Sequence, residues 1–150
     1  MGAVTYPDSN VISFITSNLI PVQVLFDAQP LATDFNVKWT PTLIILGRDR
    51  QEHHRSVGFL DAQQLIASLT LGIGKYHFDN DRFTEALSLF EQLFTSFPKS
   101  DVIPEAMYLT GVCRFKKTED PAYLKEAYEN LLQNYPDNEW TRRAYPYSLL

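Results

Sequence analysis

The spacing of hydrophobic positions changes its rhythm near residue 72. Ahead of that point, short apolar runs of two kinds alternate. Val11, Ile12, Ile15 and Leu19 recur at helical spacing behind Pro7-Asp8. That pattern predicts an amphipathic helix over 9–18 with Asp8 as N-cap. Pro21-Val22-Gln23-Val24-Leu25-Phe26 is short, apolar and rich in valine, and reads as a buried strand. Asp27-Ala28-Gln29-Pro30 turns the chain into a small helix over about 31–35. A strand follows over 42–46, then the polar turn Gly47-Arg48-Asp49-Arg50 and a second strand over about 51–58. So short a connection predicts an antiparallel hairpin. Asp61 caps a helix that meets no strong stop before Asp79-Asn80.

Beyond residue 72 only helical periodicity remains. It predicts helices over about 82–96, 102–117, 121–134 and 138–145, broken at Phe97-Pro98-Lys99-Ser100, Thr118-Glu119-Asp120-Pro121 and Tyr135-Pro136-Asp137-Asn138. Gly74 and Gly111 are 37 positions apart, and Pro98 and Pro136 are 38 apart. Near-equal offsets point to two copies of one helical hairpin. The chain therefore divides into an α/β unit over 1–71 and an α-helical repeat over 72–150. One long helix from Asp61 to about Phe78 joins the two and fixes their relative orientation. Gly72 and Gly74 interrupt that helix at about 1 kcal/mol each against alanine, so they mark a kink or a close approach by a neighbouring helix.

Composition narrows the classes of function. The 150 residues carry 13 basic against 18 acidic side chains, a formal charge of -5, with no basic run. Nucleic acid and an anionic membrane surface are poor partners for such a chain. No apolar run approaches the length of a membrane helix, and the first ten residues lack the basic start and apolar core of a signal peptide. Compartment therefore defaults to the cytoplasm. A single cysteine, Cys113, forms no internal disulfide. Cys113 sits mid-helix without a histidine or resolving cysteine beside it, and reads as a buried small apolar residue. His53 and His54 are adjacent on a predicted strand, so they point to opposite faces and do not chelate one ion together. They and His77 read as solvated or half-packed. No metal site, cofactor or catalytic residue is assigned.

The segment Trp39-Thr40-Pro41-Thr42 runs straight into the apolar strand. Proline donates no ladder hydrogen bond, so Pro41 is either a turn proline opening a strand or a cis bend. From Thr5 to about Leu71 the order and wording of the motifs resemble the later part of a thioredoxin fold. TYPDSNVISFITSNLIPVQVLF is similar to the stretch after the redox motif of disulfide-reductase-type thioredoxins. WTPTLIIL resembles their cis-proline loop and following strand, and HRSVGFLDAQQLIASL resembles the last strand and helix. The resemblance implies a cis Thr40-Pro41 bond and a peptide-binding groove lined by Trp39, Thr40 and Pro41. Residues 72–145 resemble tetratricopeptide repeats. The first copy carries Gly74, Ala86, Phe90 and Pro98; the second carries Gly111, Leu124 in place of the alanine, Tyr128 and Pro136, which implies looser packing. In that family the first helix of each pair lines a concave binding face, which implies Tyr108, Phe115 and Lys116 as contact residues. Most other aromatics read as packing core.

Thioredoxin-type chemistry needs C-x-x-C at a helix N-terminus, where the attacking thiol is acidified and a second thiol resolves the mixed disulfide. By the resemblance those cysteines fall before Met1, together with a strand that lies inside the sheet. Two explanations stand: Met1 is internal to a longer protein, or another strand fills the gap. The filler would come from a homodimer, a strand-swapped oligomer or a partner's strand. An unfilled sheet predicts poor solubility or dimerisation. The fold class expected is α/β plus α, a partial thioredoxin-like fold followed by a tetratricopeptide-type repeat. The function expected is a redox-inactive module binding a protein or peptide partner. The alternative is a thiol–disulfide oxidoreductase whose C-x-x-C segment lies outside these residues.

Overall fold

The structure, a computed structural model, describes residues 1–150. The element order is α1 (Ser9–Asn18), a single-turn α2 (Leu31–Asp34), strands β1 (Thr42–Leu46) and β2 (Glu52–Val57), then α3 (Ala62–Asp79), α4 (Phe83–Ser96), α5 (Ile103–Thr118), α6 (Ala122–Asn134) and α7 (Glu139–Ala144). A 3-10 turn over Tyr145–Leu149 continues α7. The architecture is mostly helical, with one small two-stranded sheet.

Local chemistry explains most of the boundaries. The Asp8 carboxylate accepts from the backbone N–H of Asn10 at 2.8 Å and of Val11 at 3.2 Å, which satisfies two orphan donors at the start of α1. Asp61 does the same for Gln64 N–H at 2.8 Å and opens α3. Asn138 caps α7 through Trp140 N–H at 2.9 Å. The strands pair antiparallel as their short connection requires, and Gly47 N–H closes the turn on the Gln51 carbonyl at 2.9 Å. The Thr40-Pro41 peptide bond is cis, and so is Gln29-Pro30.

A hairpin of two strands is marginal in water on its own. Here α3 lies across it and is buried on nearly every side from Leu65 to Gly72. Leu65 and Leu69 join Val11 and Ile45 in one apolar cluster, packed with Phe14, Ile15 and Leu43. Ala67 and Leu71, on the other side of the same helix, join Ala86, Phe90, Leu93, Ile103, Ala106, Leu109 and Cys113 in a second. One helix thus serves both units, as its length predicts, and the helical core draws on residues ahead of position 72.

The two glycines of α3 are close-approach positions rather than kinks. A side chain at Gly72 would run into the Ile45 δ-methyl and come within 2.9 Å of His54 Cβ, so this neighbour is the sheet and not a helix. A side chain at Gly74 would meet the Phe90 ring at 2.5 Å. Phe90 itself is fully buried, a contribution of about 3 kcal/mol against exposure.

The buried strand expected over 21–26 does not form. No strand is present there, and Ile20, Val22, Leu25 and Phe26 are largely exposed. A strand is stable only with a neighbour to take its backbone hydrogen bonds, and the sheet holds only β1 and β2. The first unit accordingly consists of α1, the single-turn α2, the β1–β2 hairpin and α3.

His53 is a second correction. Rather than solvated or half-packed, it is 6% exposed. The strand register steps from Ile45–His54 to Leu46–Glu52, so His53 is the extra residue of a bulge on β2. The bulge aims it at α3, where Nδ1 lies 2.6 Å from Asp79 Oδ2 and the ring meets the Tyr76 ring edge-on at 5.0 Å.

Candidate functional site

The second helical hairpin is built around a close helix–helix approach. Any side chain at Gly111 of α5 would collide with the Ala127 methyl of α6 and sit 3.0 Å from the Tyr123 carbonyl oxygen. The small residue that Leu124 does not supply is thus supplied three positions later. Leu124, Ala127 and Leu131 form the buried stripe of α6. The packing is tight, not loosened as the sequence implies. Tyr128 is only half-buried and meets Tyr145 edge-on at 6.2 Å.

α5 is held on both sides by polar ties. Lys75 Nζ of α3 donates to Glu105 at 2.7 Å, and Lys117 Nζ donates to Thr84 Oγ1 of α4 at 2.9 Å. Tyr108, Phe115 and Lys116 lie seven and eight positions apart on α5, close to two helical turns, and so share one face. Their environments differ. Tyr108 is covered from within the chain: its ring stacks on Tyr147 at 5.8 Å and lies 5.3 Å from Trp140. The two tyrosine hydroxyls are 2.9 Å apart, and burial with that bond raises the Tyr147 phenol above its ordinary pKa. Phe115 is half-buried and Lys116 is exposed at the far end of the stripe.

Trp39, Thr40 and Pro41 form a separate surface at the entry to β1. Trp39 is 70% exposed, with its carbonyl accepting from Thr42 Oγ1 at 2.6 Å. The Pro41 carbonyl accepts from Gly58 N–H at 2.9 Å, which ties the loop to the end of β2 beside exposed Val57 and Phe59. None of the six candidate residues lines either of two clefts between the later helices. One, of about 250 Å³, lies between α4, α5 and α6, with Gly111 and Ala127 at its floor and Arg114, Tyr123 and Glu126 around it. The other, of about 380 Å³, lies between α6 and α7 and includes Tyr128, Arg142 and Tyr145. Sequence reading missed both. The Gly111 small-residue signal marks the first floor, but the Arg114–Tyr123 approach of 5.8 Å spans the variable turn between the helices.

The ionisable groups do not converge on a reacting centre. Cys113 is fully buried, and burial pushes its thiol up to about 12, far from the thiolate a nucleophile requires. His54 packs against α3 as His53 does, because the bulge breaks the alternation that predicts opposite faces, and its Nε2 lies 2.9 Å from Ser68 Oγ. Burial, helped by the Lys75 charge, lowers His54 to about 4, so it is neutral at pH 7. His53 Nε2, His77 Nδ1 and Arg82 Nε are buried without a partner, but no group of three His, Cys, Asp or Glu side chains is arranged to hold a metal ion. No helix is long and apolar enough to cross a membrane.

A tetratricopeptide-repeat family model matches residues 105–138, which span most of α5, all of α6 and the turn into α7. No curated protein and no solved structure shows significant similarity to the chain. The matched hairpin is the one whose helices meet at Gly111 and Ala127, so the chain carries a tetratricopeptide-like repeat of the kind that usually mediates contacts between proteins.

Proposed function

We propose that the chain is a protein-interaction module without thiol chemistry of its own. It takes up a peptide or helix along the face of α5 that carries Phe115 and Lys116. The observation that carries this reading is the tetratricopeptide-repeat match over 105–138, coincident with a rigid, closely packed hairpin. Stacked helical hairpins present an extended surface that recognises a partner segment by apolar anchors and rim charges. Tyr108 supports the terminal turn, so the open part of the stripe is Phe115 and Lys116. The exposed Trp39 loop offers a second, smaller contact surface.

The order of helix, short helix, hairpin and helix over residues 9–79 supports reading the first unit as part of a thioredoxin-like fold. Thiol–disulfide exchange needs an acidified thiol and a resolving one. Residues 1–150 hold one thiol, and it is buried.

Panning a random peptide display library on the purified chain tests the reading. Enriched peptides are expected to lose at least tenfold in affinity on Phe115→Ala with Lys116→Glu, and to bind normally to Arg142→Ala. Enriched peptides indifferent to the first pair would refute it. Insulin reduction by the purified protein, abolished by Cys113→Ser, would refute the redox-inactive part.

A further inference from the structure

Past Ala144 the chain stops contributing to the core. Ala144 is fully buried, whereas no residue of the 3-10 turn Tyr145–Leu149 is, and Tyr145 and Leu149 are largely exposed. The turn nonetheless lies along α6 and reaches the α5 face, held by contacts of single side chains. Tyr145 meets Tyr128 edge-on at 6.2 Å, and the Leu150 carbonyl accepts from Lys125 Nζ at 3.1 Å. Tyr147 is half-buried and stacks on Tyr108 at 5.8 Å, with the two hydroxyls 2.9 Å apart. Of these contacts, only that of Tyr147 falls on the stripe that runs from Tyr108 to Phe115. A segment with so few buried apolar contacts belongs to the least stable part of a fold and opens locally. Opening it leaves α7 in place, because Thr141 and Ala144 are buried, and uncovers the Tyr108 ring beside Trp140.

We propose that the turn is an autoinhibitory strap. Tyr147 occupies the Tyr108 end of the α5 face as a ligand from the same chain, and a partner segment takes that end by replacing Tyr147 with a tyrosine of its own. The proposal rests on the reading of α5 as the interaction face and adds the chemistry of the partner. The contact to be replaced has a flat ring against Tyr108 and a hydroxyl at its tip against the Tyr108 hydroxyl. Tyrosine supplies both, whereas phenylalanine lacks the hydroxyl and aliphatic side chains lack the ring. One stack and one hydrogen bond favour the closed strap roughly ten- to hundredfold. A partner's affinity for the parent chain is reduced by the same factor.

The strap supplied in trans tests the proposal. The probe is a synthetic hexapeptide with the sequence of residues 145–150, Tyr-Pro-Tyr-Ser-Leu-Leu, titrated into the isotopically labelled 150-residue chain. NMR follows the indole N–H signals of Trp140 and Trp39. In a Tyr147→Ala chain the peptide is expected to shift the Trp140 signal with a dissociation constant on the order of 0.1–1 mM. That value is the millimolar effective concentration of a short tether divided by the closure factor. Binding to the parent chain is expected to be at least tenfold weaker, and Tyr147→Phe, which keeps the ring and removes only one hydroxyl, is expected to fall between the two. A peptide with phenylalanine at its third position is expected to bind at least threefold more weakly. Equal affinity for the parent and Tyr147→Ala chains, a Trp140 signal unmoved at about 5 mM peptide, a shift of Trp39 instead, or equal binding of the phenylalanine peptide would each overturn the proposal. Library peptides that depend on Phe115 and Lys116 yet bind the parent and Tyr147→Ala chains alike would overturn the strap and leave the interaction face standing. Library peptides indifferent to Phe115 and Lys116 in both chains would refute the face itself.

Discussion

Gly111→Ala is expected to destabilise the chain although it improves the helix. Alanine in a helix interior is favoured over glycine by about 1 kcal/mol. Against that gain, the new methyl would overlap the Ala127 methyl and sit 3.0 Å from the Tyr123 carbonyl oxygen. Neither neighbour is the end of a flexible side chain, so relief requires α6 to move as a body. Inserting a methyl into such packing costs about 1–3 kcal/mol, and with two rigid neighbours the upper end applies. The net expectation is a loss of about 2 kcal/mol, or roughly 4–8 °C in midpoint for a chain of this length. Urea titration followed by far-ultraviolet circular dichroism measures it, with the slope unchanged and the midpoint lowered. Ala127→Gly in the same chain removes half of the clash, so the double variant is expected to recover at least about 1 kcal/mol relative to additivity. A Gly111→Ala variant as stable as the parent, or strict additivity in the cycle, would show that α5 and α6 do not meet at these residues.

Two further expectations concern buried ionisable groups. His54 is held at about 4, below an unfolded value near 6.5, so the unfolded chain binds the extra proton first. The stability this provides is complete above pH 6.5 and is lost as pH falls towards 4. Between pH 7 and pH 5 the loss is about 2 kcal/mol, and His54→Gln is expected to remove most of that slope in paired urea titrations. Equal slopes in both proteins would refute it. Cys113, buried and pushed up to about 12, is expected to resist a disulfide reagent at pH 8 in the native state and to react with one equivalent in urea. Rapid native labelling would show the site to be open.

Most of the helices were legible from short-range pattern alone. Asp8 and Asp61 announce their helices because an N-cap is a contact between residues two or three apart. The β1–β2 hairpin is legible for the same reason, since its turn is short enough to dictate pairing. The repeat offset located both hairpins, and it places the contacts as well: Gly111 meets Ala127 sixteen residues on, as Gly74 meets Phe90, while Leu124 lies elsewhere on the buried stripe of α6. Of the candidate interaction residues that the repeat resemblance implies, Phe115 is half-buried and Lys116 exposed on α5. Tyr108 is covered by Tyr147, which lies 39 positions away.

What the sequence by itself determined is therefore where elements begin and end, which helix joins the two units, and which hairpin resembles a known repeat. These follow from periodicity, capping and turn chemistry, all of which act within a few residues. The tertiary structure alone decided what each face meets. A strand-like run at 21–26 stayed unpaired because only folding reveals whether a neighbouring edge exists. His53 became a buried partner of Asp79 because a one-residue bulge turned it inward. Alternation along a strand assigns sides, but the free energy of a side is set by what lies across it.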